Sequence, residues 1–314
     1  MSFSHDTKNE LARLVPERRC CQLAELSALV QFGSRLSWEG SGEQARLVVS
    51  TENAATARKA FRLFKTVFDL HTRVTAASKR QFKKNKVYLV QAQAGPDLQR
   101  VLAELGLAAG ERPVERLPRR LLRSRCCKRA YARGAFLARG SINRPEGEYH
   151  LEIVCPNRGL AVGLQELVEK LGVQPRLSER KGRVVLYLKE SEQIVDFLRV
   201  VGASAALLDF ENVRVVKSVR NQVNRLVNCE TANLEKTVEA AVRQTDSILR
   251  LAHTVGLESI PEPMRQLAVL RLDHPDCSLK ELGGMCTPPL SKSGVAYRMK
   301  RLEALARKLL EAVG

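Results

Sequence analysis

The sequence predicts an α+β fold, duplicated with pseudo-twofold symmetry, followed by an all-α domain. Three observations carry this. A helix-Gly-Ser-strand segment occurs twice, the elements after each copy follow one order, and strand-forming stretches stop near residue 204. The first copy, "CCQLAELSALVQFGSRL", opens at Cys20, and the second, "CCKRAYARGAFLARGSI", opens at Cys126. The cysteine pairs lie 106 positions apart and the dipeptides Gly33-Ser34 and Gly140-Ser141 lie 107 apart, so the copies slip by one. Self-similarity at a fixed interval marks a repeated folding unit.

After the first copy come a β-rich run at 45–50, an amphipathic helix at 52–70, strands at 72–76 and 86–93, and a short helix ending at Gly106. After the second come "YHLEIV" at 149–154, a helix at 158–172, strands at 174–178 and 183–189, and a helix ending at Gly202. Strands are read from β-branched density and alternation, helices from apolar residues at i, i+3, i+4. Each half therefore reads helix, two strands, helix, two strands, helix, which predicts two four-stranded sheets side by side. The segment "ERPVERLPRRLLRSR" between them carries two prolines and six arginines, the composition of a linker suited to lie over phosphate. The chain divides into a first half at 1–110, this linker at 111–125, a second half at 126–204, a connector at 205–230 and a helical domain at 231–314.

In the helical part, apolar spacing at Leu234, Val238, Ala241, Ile248, Ala252 and Val255 predicts one long packed helix, with Thr231 or Asn233 as N-cap and Gly256 as its stop. Pro263 fits the first turn of the next helix and Pro275 closes it. Ser278 and Glu281 stand in capping-box register, a turn follows with Pro288 and Pro289, and Ser291 caps a basic helix whose Val295, Met299, Leu302 and Leu305 form a buried stripe.

A short helix, a tight turn and a capped basic helix make a helix-turn-helix, here at about 277–310. In such units the second helix enters the major groove. Lys292, Ser293, Ala296, Tyr297 and Lys300 would then reach base edges. Arg298 and Arg301 would meet phosphate at the flanks, as would Lys280 on the preceding helix. The competing reading is a helical bundle with a charged outer face. Two further basic stretches extend the footprint. "KRQFKKNK" supplies Lys79, Arg80, Lys83 and Lys84, and "RVVKSVRNQVNR" supplies Arg214, Lys217, Arg220 and Arg225.

Bulk numbers agree with a polyanionic partner. Lys and Arg total 52 against 34 for Asp and Glu in 314 residues, a formal net charge of +18. The start "MSFSHDTKNELARLV" lacks an apolar signal core, and no uncharged apolar run reaches about 18 residues. A cytoplasmic, nucleoid-associated protein without membrane contact is expected. The eight cysteines form two adjacent pairs and four singles without zinc-finger spacing, which predicts buried, reduced thiols and neither metal nor cofactor. No H-E-x-x-H, Gly-rich phosphate loop or Ser/His/Asp order suggests a hydrolase.

The two halves resemble the LAGLIDADG homing endonucleases, whose paired motif helices each deliver a metal-binding carboxylate one position before the Gly. Small residues at Ser27, Ala28, Gly134 and Ala135 would let two such helices approach. Here that position holds Phe32 in the first copy and Arg139 in the second, and neither binds Mg²⁺, a hard cation that takes oxygen ligands. Glu25 sits seven residues before Phe32, about 10 Å away along the axis. No catalytic residue is therefore assigned. Arg139 has two open readings: a phosphate contact, or a cation favoured at a helix C-terminus.

A closer likeness spans nearly the whole chain. "MSFSHDTKNELARL", "CCKRAYARGAFLARGSIN", "SVRNQVNRLVNCETANLEKT" and "SLKELGGMCTPPLSKSGVAYRMKRL" together resemble the WhiA family, in which a degenerate LAGLIDADG-like domain precedes a C-terminal helix-turn-helix. The resemblance implies a non-enzymatic, sequence-specific transcriptional regulator of cell division, chromosome segregation and, in sporulating members, sporulation genes. Its implied partners are double-stranded DNA and a WhiB-type regulator or the transcription machinery. Two other readings stay open: a LAGLIDADG-type endonuclease with a displaced metal site, and a non-specific nucleoid- or RNA-binding protein.

Overall fold

The computed structural model describes residues 2–33, 46–78, 86–109, 112–180 and 182–313. The chain separates into two units at 218/219, each with its own apolar core.

Unit 1 holds the duplication. It opens with α1 (Phe3–Arg13), capped by Ser2, whose hydroxyl accepts the His5 N–H. The first motif helix, α2 (Arg19–Gly33), is buried from Ala24 to its end, so it is a central rather than an amphipathic helix. Then follow β1 (Arg46–Thr51), α3 (Ala54–Phe68), β2 (His71–Ser78), β3 (Lys86–Gln93) and α4 (Leu98–Glu104). The strands form an antiparallel sheet ordered β1-β3-β2, three strands among the described residues. In β1 the burial alternates, with Leu47, Val49 and Thr51 inward, as expected of a strand with one face on the core.

The second half begins with α5 (Arg125–Arg139) and continues through β6 (Gly140–Ile142), β7 (Leu151–Cys155), α6 (Arg158–Glu169), β8 (Arg176–Arg180), β9 (Arg183–Leu188) and α7 (Ser191–Val201). (Ala108–Ala109 at the end of the first half pairs with Arg112–Pro113 at the start of the linker, making β4 and β5.) The second sheet has four antiparallel strands ordered β6-β7-β9-β8. The linker segment is packed down on the core. Gln31 Nε2 donates to the carbonyls of Val114 and Arg116 at 3.1 Å, Leu117 and Leu121 are partly buried, and Leu122 joins the core. Its polar residues face outward, with Arg116, Arg119, Arg120, Arg123 and Arg125 exposed.

The motif helices α2 and α5 pack side by side and run in the same direction. Their cysteine pairs meet at the N-terminal end. Arg139 Nε reaches the Phe32 carbonyl at the C-terminal end, 3.0 Å away. The small residues act as anticipated: a Cβ on Gly134 would sit 2.5 Å from the Glu25 carbonyl oxygen and 2.9 Å from the Ala28 methyl. Any larger side chain there would force the helices apart.

From Ser204 the chain is helical to Thr254 without a break, forming α8 (Ser204–Thr254). The expectation of a helix starting at Thr231 or Asn233 is corrected: both residues are interior to α8. Leu234 and Val238 are also exposed rather than packed, at 65% and 53%, whereas Ile248 and Leu251 are buried. Apolar spacing established the helix but not which stretch of it has a neighbour. Unit 2 adds α9 (Glu262–Asp273), α10 (Leu279–Met285) and α11 (Lys292–Val313) around Ile248, Leu251, Leu267, Leu282, Val295, Met299 and Leu302.

Candidate nucleic-acid interface

The helix-turn-helix is assembled by local chemistry. Ser278 Oγ accepts the Glu281 N–H while a Glu281 carboxylate oxygen accepts the Ser278 N–H at 2.7 Å, so the capping box read from sequence is formed in both directions. Hydrogen bonding from the Ser278 N–H, with a further contribution from the Ser278 hydroxyl, holds the Glu281 carboxyl below its usual range. Leu290 N–H donates to the Gly283 carbonyl at 2.8 Å, closing the turn, and a Cβ at Gly283 would lie 2.3 Å from the Leu290 oxygen. Only glycine fits there. Ser291 Oγ accepts the Gly294 N–H at 3.2 Å, starting α11 as its cap.

Burial of Val295, Met299 and Leu302 fixes how α11 is rotated. Leu305 is only partly buried, and Ala306 takes the deeper place. The opposite face carries Lys292, Ser293, Ala296, Tyr297, Lys300 and Arg301, all exposed, and Tyr297 reaches 63%. Arg301 lies over the Tyr297 ring at 5.8 Å, which places an aromatic-cation pair on that face. Arg298 is half-buried, and Lys280 is exposed on α10.

Arg271 was not foreseen. It is 2% exposed, and its Nη1 donates to the carbonyls of Pro275 and Cys277 at 3.2 and 2.7 Å, tying the end of α9 to the approach to α10. Burial lowers its pKa. An arginine followed by a Pro-containing turn is a weak signal for such a brace.

The basic residues of α8 divide into two kinds. Arg214 pairs with Glu211 at 2.9 Å, and Lys217 Nζ donates to the Gly147 carbonyl at 2.8 Å while lying 4.6 Å from the Tyr149 ring. These two are engaged within unit 1. Arg220 and Arg225 are exposed. Glu10 of α1 accepts the N–H groups of Ala205 and Ala206 at 2.7 and 3.0 Å, anchoring the first turn of α8 from almost 200 residues away, a link no local pattern announces. The expected phosphate contacts at Lys79, Arg80, Lys83 and Lys84 lie outside the described residues.

At the C-terminal ends of α2 and α5, a cleft of about 420 Å³ is lined by His5, Lys8, Glu52, Arg139 and Arg183 among others. Phe32 is fully buried, and Arg139 sits on the helix-end carbonyl of Phe32. Burial pulls Lys8 down to about 8; Glu52 opposes that shift and Arg139 adds to it. Glu52 is the only carboxylate lining this cleft among the described residues. Glu25 is held elsewhere, fully buried against Lys59 and gripped by two Arg133 nitrogens at 2.9 Å. Lys59 also donates to the carbonyls of Leu11 and Leu14, and burial pulls it down to about 8.

Three family models match the chain: the WhiA N-terminal LAGLIDADG-like domain over 19–108, the WhiA LAGLIDADG-like domain over 128–220, and the WhiA C-terminal HTH domain over 223–306. The chain belongs to the WhiA family. A "Probable cell division protein WhiA" of Heliobacterium modesticaldum is 52% identical over 98% of this chain and 96% of its own length. Another of that name, from Syntrophomonas wolfei, is 51% identical over 99% of both. The full-length DUF199/WhiA crystal structure from Thermatoga maritima superposes with a TM-score of 0.61 at 22% identity, covering 98% of this chain and 99% of that one. That likeness shows the fold, LAGLIDADG-like halves followed in sequence by a helix-turn-helix domain.

The expectation of buried thiols is corrected in part. All eight cysteines are unpaired, but Cys20 and Cys229 are exposed and Cys126 and Cys277 half-buried.

Proposed function

We propose that this WhiA chain is a sequence-specific, double-stranded-DNA-binding transcriptional regulator of cell division and chromosome segregation, extending to sporulation genes where the cell sporulates, and that it does not cut DNA. The observation that carries this reading is the outward face of α11, where Lys292, Ser293, Ala296, Tyr297, Lys300 and Arg301 are exposed together on a helix whose cap, turn and buried stripe are all fixed. The relatives' name supplies the cell-division part.

In this reading Lys292, Ser293, Ala296, Tyr297 and Lys300 contact base edges, while Lys280, Ser291, Arg298, Arg301, Arg220 and Arg225 meet phosphate. Lys79, Arg80, Lys83, Lys84 and Arg139 are secondary phosphate contacts. The domains are those drawn from the sequence, 1–110, 111–125, 126–204, 205–230 and 231–314. A WhiB-type regulator or the transcription machinery is the protein partner, and the protein works in the cytoplasm at the nucleoid. Among the described residues no helix is long and apolar enough to cross a membrane.

The test is binding to genomic operator fragments by the full chain and by the double substitution Lys292→Ala with Lys300→Ala, across a salt series. The variant should bind more weakly with an unchanged far-ultraviolet spectrum; equal affinity would remove α11 from recognition. Incubating the bound fragment with Mg²⁺ should leave it intact. Cutting that EDTA abolishes would reinstate the endonuclease, and binding with no preference among duplexes would favour a nucleoid or RNA role.

A further inference from the structure

Cys20 and Cys21 open α2, Cys126 and Cys127 open α5, and the four Sγ atoms lie within 4.8 Å of one another. We propose that these four thiols form a tetrathiolate site for a single structural Zn²⁺ ion. The site does not depend on how the protein contacts DNA.

Three features support it. First is size. Four sulfurs around zinc at about 2.3 Å stand about 3.8 Å apart, so a rotamer adjustment of at most about 1 Å closes this group on one ion. An iron–sulfur cube, with its cysteines on separate irons, would need them spread wider. Soft thiolates select zinc over the hard cations.

Second is charge. A zinc held by four thiolates carries two net negative charges, and here two helices running in parallel point their N-termini at it, each the positive end of a macrodipole. Helix N-termini also favour the thiolate that zinc needs.

Third is the Ser124 side chain. It occupies the N-cap position of α5 yet makes no bond to the helix backbone. Instead its hydroxyl donates to Cys127 Sγ at 3.0 Å and lies 3.2 Å from Cys126 Sγ. That is the outer-shell support which ligand sulfurs commonly receive. Cys21 and Cys127 are buried while Cys20 is exposed and Cys126 half-buried, which leaves an entry path on one side. With no open coordination position, the ion would tie the two halves together and catalyse nothing.

Full-length protein, isolated under reducing conditions without chelator from zinc-supplemented cells, should carry one zinc per chain by elemental analysis. Cobalt in its place should give intense thiolate-to-cobalt charge transfer and tetrahedral visible bands. Cys20→Ser with Cys126→Ser should cut zinc content roughly tenfold or more, and Ser124→Ala should weaken affinity about tenfold. Cys229→Ser with Cys277→Ser should leave zinc unchanged. Should the first pair fail to fold, the cobalt spectrum of the unaltered chain and zinc release by a thiol-modifying reagent still decide. Zinc-free protein, cobalt bands without thiolate charge transfer, or disulfides among these cysteines in anaerobically handled protein would each overturn the proposal.

Discussion

In the duplicated domain the decisive charges face inward, and in the helix-turn-helix they face outward. Glu25 of α2, Lys59 of α3 and Arg133 of α5 form an ion-paired group, with Glu25 and Lys59 out of contact with solvent. Lys292, Lys300 and Arg301 protrude from α11. A net charge of +18 therefore does not locate a binding face. Surface cations can be removed at small structural cost, whereas a buried ion group cannot lose one member without stranding the others.

The sharpest way to break the contrast is Glu25→Gln. It strands Lys59 and Arg133 in the interior and should cost about 3–5 kcal/mol, read as a lowered midpoint in urea unfolding. A loss comparable to that of a surface pair would mean water reaches the group. Next comes Gly283→Ala, whose Cβ meets the Leu290 carbonyl; overpacking of this kind costs about 1–3 kcal/mol and should appear in the melting of unit 2 together with weakened DNA binding. Lys292→Ala with Lys300→Ala should do the reverse, lowering operator affinity ~10- to 100-fold and flattening the salt dependence while thermal stability holds. Ser278→Ala, which removes one side of the capping box, should cost about 1 kcal/mol.

The buried lysine adds a pH signature. With Lys59 drawn from 10.5 down to about 8, the folded chain gives up between those values a proton that the unfolded chain keeps. Stability should therefore rise with pH across that window, because the unfolded state binds more protons there. The rise should shrink in Lys59→Met, as followed by urea unfolding at stepped pH.

What could be read from the sequence was local. The repeated motif helices ending at a glycine, the Ser278–Glu281 box, the Ser291 cap and the stripe of Val295, Met299 and Leu302 are short-range patterns, and each is present among the described residues. What escaped depends on residues brought together by folding. Thr231 and Asn233 look like caps, yet nothing in their side chains forces a helix to begin, and α8 runs through them. Glu10 gave no hint that it would cap a helix starting at Ser204. The two cysteine pairs served as markers of repetition, and only the parallel packing of α2 on α5 turns them into one group of four.

The Glu25–Arg133 pair also bears on the duplication. The acid belongs to one repeat and its base to the other, and by the offset of 106 to 107 between the copies Glu25 corresponds to Tyr131 or Ala132 while Arg133 corresponds to Ser27 or Leu26. Two copies of either half would therefore lack one member of this ion pair. At this contact the repeats are complementary rather than interchangeable, each supplying the half of a charge pair that its own duplicate does not carry.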